Sequence, residues 1–586
     1  MSLNLALSTA VSSLLTLQQQ MAVASNNLAN ANTTGYSKQT VDVASVVVSG
    51  IGAGVTSAGV SINVDPFLFA AVLKANTSAS GSDTYAKYYY DLQQALGAVS
   101  TSTTGGDDIA SRLSSLESAL SALANNPEQS SLETKVVVAL DNLTSALRST
   151  SASIQSLRNR ASDGIAETVA DINTQVSTVQ TLNSKIATAI ARGENTAALE
   201  DQRNAALLAL SGDLGISYYT DSNNMVQVFT KAGQSLLVGN IAREVSYAAP
   251  AYLSPDSTYA GGTIPGIMLS NNDITSQLQA SGGKIAALIG LRDVDLPAAQ
   301  DELDNLANGL VTRINQVYNQ GTPYPATTTI TGSNSTAFNG TDALSATATV
   351  RIAQVDQSGK IQGYQDIGLS SATNINDMIT LLNGSGLVNA SLNASGQLVL
   401  TSSNPSLGIS TATVSGDVGG TNFSAYFHMN DLLVSENGAQ SISVMPSILA
   451  KPSLWSSASL STATGTAPLV GLTSGDASIA QSLVDALLTR QDFPAAGSLS
   501  STSATLAGYA TTIVTNIATR ASNAEADRTT QDTVSTTLKG SLSSQSGVNS
   551  DEETAHLLVL QNAFASSSKV ISTVQTMFKA LLDAVA

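Results

Sequence analysis

Apolar positions in the first thirty residues recur with a period of seven. Leu7, Leu14, Met21 and Leu28 form one series, and Leu3, Ala10, Leu17, Ala24 and Ala31 form a second, three positions on. Two series at that offset make the a/d seam of a long helix, with Leu or Met on one line and mostly Ala on the other. The pattern predicts a helix from about Leu3 to Ala31, roughly 43 Å long at 1.5 Å per residue. Ser, Thr, Gln, Asn and Ala surround the seam, without the e/g charges of a free-standing coiled coil. Such a helix takes its stability from what it packs against, so the segment is expected to wait for partners, loosely ordered until assembly. The last thirty residues repeat the device. Leu557, Phe564, Ile571, Phe578 and Val585 are seven apart, and Leu560, Ser567, Val574 and Leu581 form the companion line. Two seams at opposite ends predict mutual pairing. A helical bundle closed by its termini is the plainer reading; the nearly uncharged outer faces point to assembly between subunits.

Between the ends the period changes several times. Residues 1–65 read as the N-terminal assembly helix and a following turn or extended segment, pairing with 545–586. Residues 66–211 read as a helical domain, in which Leu113, Leu116, Leu120 and Leu123 keep helical spacing, followed by an unusually long stripe from Ile154 to Ile190. Gly212 and Gly215 are expected to end it. Residues 212–272 form a small β-rich segment, and 273–321 a returning helix of the helical domain. Residues 322–474 form a β-rich inserted domain, with a linker near Trp455 to Gly475, and 475–544 a returning helical segment before the C-terminal assembly helix. The fold class is α+β multidomain and elongated: long helical bundle or coiled-coil regions run from both chain ends, and β-rich inserts lie in the middle.

Composition narrows the function. The chain has 586 residues, 25 Lys+Arg against 43 Asp+Glu and a net charge of −18, which opposes nucleic-acid and anionic-membrane partners. Charged residues are only 12%, so the surface is mostly hydroxyl and amide. Absence of cysteine excludes disulfide scaffolds, thiolate metal sites and Cys nucleophiles. No apolar run reaches the roughly 20 residues of a spanning helix. No Lys or Arg precedes Lys38, so a secretory n-region is lacking, and export would use another route.

Catalytic and metal signals fail one by one. Gly50-Ile51-Gly52-Ala53-Gly54 lacks the third glycine of a dinucleotide loop, where Ser57 stands, and reads as a flexible turn. Asn30, Asn32, Thr34 and Gly35 mimic half an EF-hand loop, but Val41 occupies the position of its bidentate carboxylate. Asp107-Asp108 and Asp551-Glu552-Glu553 read as solvated turns or helix N-termini. Of two histidines, His428 and His556, the latter reads as a surface or inter-helix residue. No nucleophile elbow occurs. The expectation is no catalysis, no cofactor and no metal.

The run Ser25-Asn26-Asn27-Leu28-Ala29-Asn30-Ala31-Asn32-Thr33-Thr34-Gly35-Tyr36 resembles the N-terminal motif of bacterial flagellar axial proteins. Its continuation through Ser37-Lys38-Gln39 is closer to the hook-associated protein 1 family, the first hook–filament junction proteins. Ser546-Gly547-Val548-Asn549 with Asp551-Glu552-Glu553 resembles the C-terminal signature of that family, as do Val570-Ile571-Ser572-Thr573 and Met577-Phe578-Lys579-Ala580-Leu581-Leu582. Asp201-Gln202-Arg203 and the helix after Gly282-Gly283 match inside the chain. Ser550 and His556 depart from the usual Leu or Ile and Asn. The resemblance implies an exported structural subunit in the extracellular bacterial flagellum, delivered by type III export without a cleaved signal peptide. It implies self-association, with hook protein and a second junction protein or flagellin as neighbours, and an export chaperone on the C-terminal helix. The N-terminal assembly interface would comprise Leu7, Leu14, Leu17, Met21, Asn26, Asn27, Leu28, Asn30, Asn32, Gly35 and Tyr36. Its C-terminal counterpart would comprise Leu557, Leu560, Phe564, Ile571, Val574, Phe578 and Leu581. For the asparagines, helix capping and bridging between helices both stand. Another axial protein, such as a hook protein or flagellin, is the nearest rival; a secreted glycan-binding adhesin or enzyme is the second.

Overall fold

The computed structural model describes residues 3–33, 35–48, 50–97, 108–333 and 337–585; Thr34, Asp107 and the Val585 side chain lie outside them. The chain divides into two compact units. The first holds Met1–Tyr88, Asn159–Asp293 and Ser522–Ala586; the second holds Tyr89–Arg158 and Val294–Ala521. Both chain ends therefore belong to one unit.

In the first unit α1 (Leu3–Ala29) leads into a hairpin of β1 (Gln39–Val48) and β2 (Ile51–Ile62). The glycine run read as a flexible turn is mostly strand. Gly50, at φ +80°, makes the turn, whereas Gly52 and Gly54 lie in β2. Gly54 is where the hairpin meets α1: a Cβ there would collide with the Ser12 side chain and stand 3.3 Å from the Thr9 Cα. Next along the chain come four long helices, α2 (Pro66–Leu96), α3 (Ile109–Asn125), α4 (Ser130–Arg192) and α5 (Ala197–Asp213); α3 belongs to the second unit, and residues 89–96 of α2 and 130–158 of α4 are counted with it. Helix α4 carries the long apolar stripe; Ile154, Ile165, Ile172, Val179 and Ile186 on it are fully buried. Gly212 does not end α5 but sits inside its last turn, with Gly215 beyond.

The small β segment is an antiparallel sheet in the order β3 (Ile216–Thr220), β4 (Val226–Thr230), β5 (Ser235–Val238), β6 (Ile241–Ala242). A second sheet joins β7 (Val245–Ser246), β8 (Met268–Leu269) and β9 (Asn272–Asp273). The returning helix comes in pieces: α6 (Thr275–Ser281), α7 (Gly283–Gly290), a π-helical turn at Leu291–Asp295, and α8 (Leu296–Tyr318), which belongs to the second unit. Gly283, at φ +84°, lets α7 start against α5, since a Cβ there would come within 2.8 Å of the Leu214 Cα.

The second unit contains the β-rich insertion. It runs β10 (Gly321–Thr322), β11 (Thr329–Thr331), β12 (Thr349–Val355), β13 (Lys360–Gly368), α9 (Ile375–Asn383), β14 (Val388–Leu392), β15 (Leu398–Ser402), β16 (Gly408–Ser415) and α10 (Phe423–Tyr426). Sheets β11-β15-β14 and β16-β12-β13-β20 supply most of its core, with β20 at Leu469–Val470. Val350, Ile352, Met378, Leu382, Leu400 and Phe423 have no exposed surface there. Then come β17 (Leu433–Val434), β18 (Ser443–Val444), α11 (Pro446–Ala450) and β19 (Ala458–Ser459).

The segment from Trp455 to Gly475 is not a linker. Trp455 is 1% exposed and packs edge-on against the Tyr318 ring at 4.9 Å; β19 pairs with β10, and β20 with β13. Its Ser, Thr and Gly content hid strands that lie on the core. The next helical stretch is also divided. Helix α12 (Ser478–Leu488) is followed by a hairpin of β21 (Gln491–Phe493) and β22 (Thr502–Ala504) before α13 (Leu506–Ser546). Helix α14 (Ser550–Val585) ends the chain. Its start is set by Asn549, whose Oδ1 accepts from the Asp551 amide at 3.0 Å, the usual capping contact.

Candidate functional site: the junction of the chain ends

Helices α1 and α14 pack along each other within one unit. Ser13 Oγ lies 3.5 Å from Ser567 Oγ, so the polar interruption of one seam meets a hydroxyl of the other. Asn27 Nδ2 lies 3.4 Å from Glu553 Oε2. Between those contacts the numbering rises on α1 and falls by the same amount on α14, which makes the pair antiparallel and in step. Ala10, Thr16 and Ala24 of α1 and Leu560 and Val574 of α14 are buried. Leu7, Leu14, Leu17, Met21, Leu557, Phe564, Ile571 and Phe578 are half-buried. Leu28 and Leu581 are exposed. In this register Leu581 falls past Leu3, where α1 begins, so it has no opposite residue on α1.

The polar end of the seam is a closed network. Asn27 is 1% exposed. Its amide pairs with the backbone of Gln39: Nδ2 donates to the Gln39 carbonyl at 2.9 Å, and Oδ1 accepts from the Gln39 amide at 3.0 Å. A side chain thus takes the place of a strand partner at the start of β1. Oδ1 also accepts from Tyr36 Oη at 2.8 Å. Glu553, predicted to be solvated, is instead 1% exposed and paired with Lys38 Nζ at 2.8 Å. The Lys38 amide donates to the Ser546 carbonyl at 2.7 Å. Burial of a carboxylate is costly unless it is paired and hydrogen-bonded; Lys38 and Asn27 meet that demand. Asp551 and Glu552 stay exposed in the first turn, as expected.

A third segment joins from α5. Asp201 Oδ2 accepts from the Ser37 amide at 3.0 Å, while its Oδ1 is buried without a partner. Burial raises the Asp201 pKa despite the bonds from Ser37. Burial, with the Asp201 and Glu553 charges nearby, pushes the Tyr36 hydroxyl up to about 12. Next along, Arg203 donates to the Asn224 carbonyl at 2.6 Å and to Asn183 Oδ1 at 3.4 Å. The sequence resemblance therefore marks residues that hold the loop after α1 onto the helical domain.

The asparagine question divides by residue. Asn27 bridges. Asn26 and Asn30 act locally, Asn30 Nδ2 donating to the Asn26 carbonyl at 3.0 Å. Asn32 and Gly35 are exposed, and Gly35 turns the chain at φ +80°. Lys38, Gln39, Ser546 and Glu553 were not singled out as site residues. The clue was the rarity of charge: Lys38 is the first cation of the chain. The amide-to-backbone pairing recurs at Asn173 with Val245, Asn183 with Val226 and Asn383 with Ala390. His556 is exposed and, with Lys38, Glu553, Gln20, Val23 and Val41, lines a cleft of about 350 Å³ beside the network.

Residues 98–336 match the family described as flagellar hook-associated protein FlgK helical domain. Residues 7–36 match the flagella basal body rod protein family, and 539–584 the flagellar basal body rod FlgEFG protein C-terminal family. Flagellar hook-associated protein 1 of Escherichia coli is 23% identical over 53% of this chain and 56% of its own length. That of Bacillus subtilis is 24% identical over 54% and 67%. Together these matches support the flagellar hook-associated protein 1 family for this chain. The E. coli alignment spans about half of that protein, as it does of this chain. A solved structure, that of the flagellar hook junction protein FlgK of Burkholderia pseudomallei, shares the fold at a TM-score of 0.50 and 17% identity, covering 80% of this chain and 98% of that one. The two segments of this chain that match rod-protein families are the ones that meet at the Asn27–Glu553 network.

Proposed function

We propose that the protein is a structural, non-catalytic subunit of the bacterial flagellum that joins hook to filament outside the cell. Helices α1 and α14 are its assembly elements. The observation that carries this reading is the convergence of residues 7–36 and 539–584 on one buried network, in a chain that also carries the FlgK helical domain. Hook protein and flagellin, the rival axial proteins, are disfavoured by that same helical-domain match.

The buried and half-buried seam residues face the companion helix, and exposed apolar side chains remain for neighbours. Val11 and Leu15 on α1, and Val559, Val570, Met577 and Leu581 on α14, are exposed apolar side chains. They suit self-association and contact with hook protein on one side and a second junction protein or flagellin on the other. Before assembly the same α14 face suits an export chaperone, and the route is type III export. No helix among the described residues is long and apolar enough to cross a membrane.

Leu14→Asp places a charge in the half-buried seam. The expected result is loss of incorporation and of swimming, with the thermal transition of the β-rich insertion unchanged. A variant that still joins hook to filament, seen by labelling at the junction, overturns the reading.

A further inference from the structure

The first of the two histidines of the chain, His428, sits at a built site in the β-rich insertion, away from the residues used above. His428 follows α10 at φ +52°, a left-handed conformation that brings the Cβ of an L residue close to the carbonyl oxygen and is adopted only at a cost. Gly or Asn is the ordinary choice at this position after a helix, so the imidazole is present at a cost. Its ring is held: Nδ1 pairs with Asp431 Oδ2 at 2.8 Å. Asp431 is 6% exposed and is itself fixed by Asn319 Nδ2 at 2.7 Å and Ser333 Oγ at 2.8 Å. The Ser333 amide donates to the His428 carbonyl at 2.8 Å and fastens the backbone. The hydrogen bond to Asp431 raises the His428 pKa, with burial opposing it.

This arrangement leaves Nε2 without a protein partner among the described residues, on a side chain that is 45% exposed. His428 lines a cleft of about 860 Å³. Tyr426, Thr421 and Ser443 line the same cleft, and none of their hydroxyls has a protein partner among the described residues. The Tyr426 ring stacks with Phe338, their centroids 5.8 Å apart, which supplies an apolar wall. No Lys or Arg lines the cleft, and Glu436 stands at it. A phosphate, sulfate or carboxylate would find no cation there except a protonated His428. Uncommitted hydroxyls, one oriented imidazole and an aromatic wall match a ligand that is uncharged, rich in hydroxyls and apolar on one face. We propose that this cleft is a binding site for a neutral saccharide.

The inference is independent of the junction reading, because the residues that carry it lie between 319 and 443. The test uses the full chain labelled at histidine, in which His428 and His556 give the only two imidazole signals. Chitotriose and maltotriose serve as neutral probes, and 3′-sialyllactose as the anionic one. The expected result is a saturable shift of the His428 signal with a neutral probe, no shift of His556 and no response to sialyllactose. Tyr426→Phe, which keeps the ring, is expected to weaken binding about threefold to tenfold. The proposal falls if neither neutral probe moves His428, if both histidines move together, if sialyllactose binds as well, or if Tyr426→Phe binds unchanged.

Discussion

The joined chain ends and the core of the β-rich insertion are held together by opposite means. In the insertion, Val350, Ile352, Met378, Leu382, Leu400 and Phe423 have no exposed surface; large apolar side chains fill the interior of that region. Along α1 and α14 most of the large seam residues are only half-buried; the enclosed positions of α1 are small or polar, Ala10, Thr16, Ala24 and Asn27, and on α14 Leu560 and Val574 are the buried apolar ones. The ends are therefore located by a polar network, while part of their apolar surface stays exposed. A region that must join other subunits keeps hydrophobic area in reserve, and specific hydrogen bonds fix its register. A region that only has to be folded spends its apolar side chains internally.

The sharpest way to break this contrast is Lys38→Met. It leaves the Glu553 carboxylate buried without its cation, a change of about 3–5 kcal/mol. Hydrogen exchange should then quicken throughout α1 and α14 and stay unchanged in β12 and β15. Equal loss of protection in both regions would show that the network is not what holds the ends. The converse substitution, Met378→Ala, opens a cavity in the insertion and should cost about 2–4 kcal/mol there, lowering its melting transition while leaving the exchange of α1 and α14 as it was.

The smallest expected effect concerns neither region but the helical domain between the joined ends. Burial and the Asp171 charge raise the Asp213 pKa to about 6, with Lys284 opposing. A carboxyl whose folded pKa exceeds its unfolded value stabilises the fold below the unfolded value, near 4. That contribution is lost as pH rises through about 6. Asp213→Asn should accordingly raise the melting temperature by about 1–3 °C at pH 7.5 and leave it nearly unchanged at pH 4, measured by calorimetry at both pH values. A stabilisation as large at pH 4 would assign the effect to something other than the buried charge.

How far sequence reasoning reached depended on periodicity. The seams of α1 and α14 and the stripe of α4 are long and regular, and all three are helices at the expected places. Elements without a clean period escaped it. The long β1–β2 hairpin was hidden by glycines, the short strands β19 and β20 by Ser and Thr, and β21–β22 by the helical patterns on either side. Two-residue and three-residue strands carry too little pattern to be seen. Their pairing partners are far away: Leu469 pairs with Ile361, and Ala458 with Thr322.

At the junction the same division holds. The amino-acid order determined two apolar seams, a chain poor in charge and cysteine, and two terminal motifs that resemble one family; these are local properties, legible from spacing and residue type. Tertiary structure decided that Asn27 serves as a strand partner for Gln39, that Glu553 is buried while its neighbours Asp551 and Glu552 are not, and that Asp201 takes the amide of Ser37. Each of those contacts joins segments distant in sequence or depends on which side of a helix faces inward. Burial sets the electrostatic cost that makes the contact necessary, and burial exists only once the chain has closed on itself.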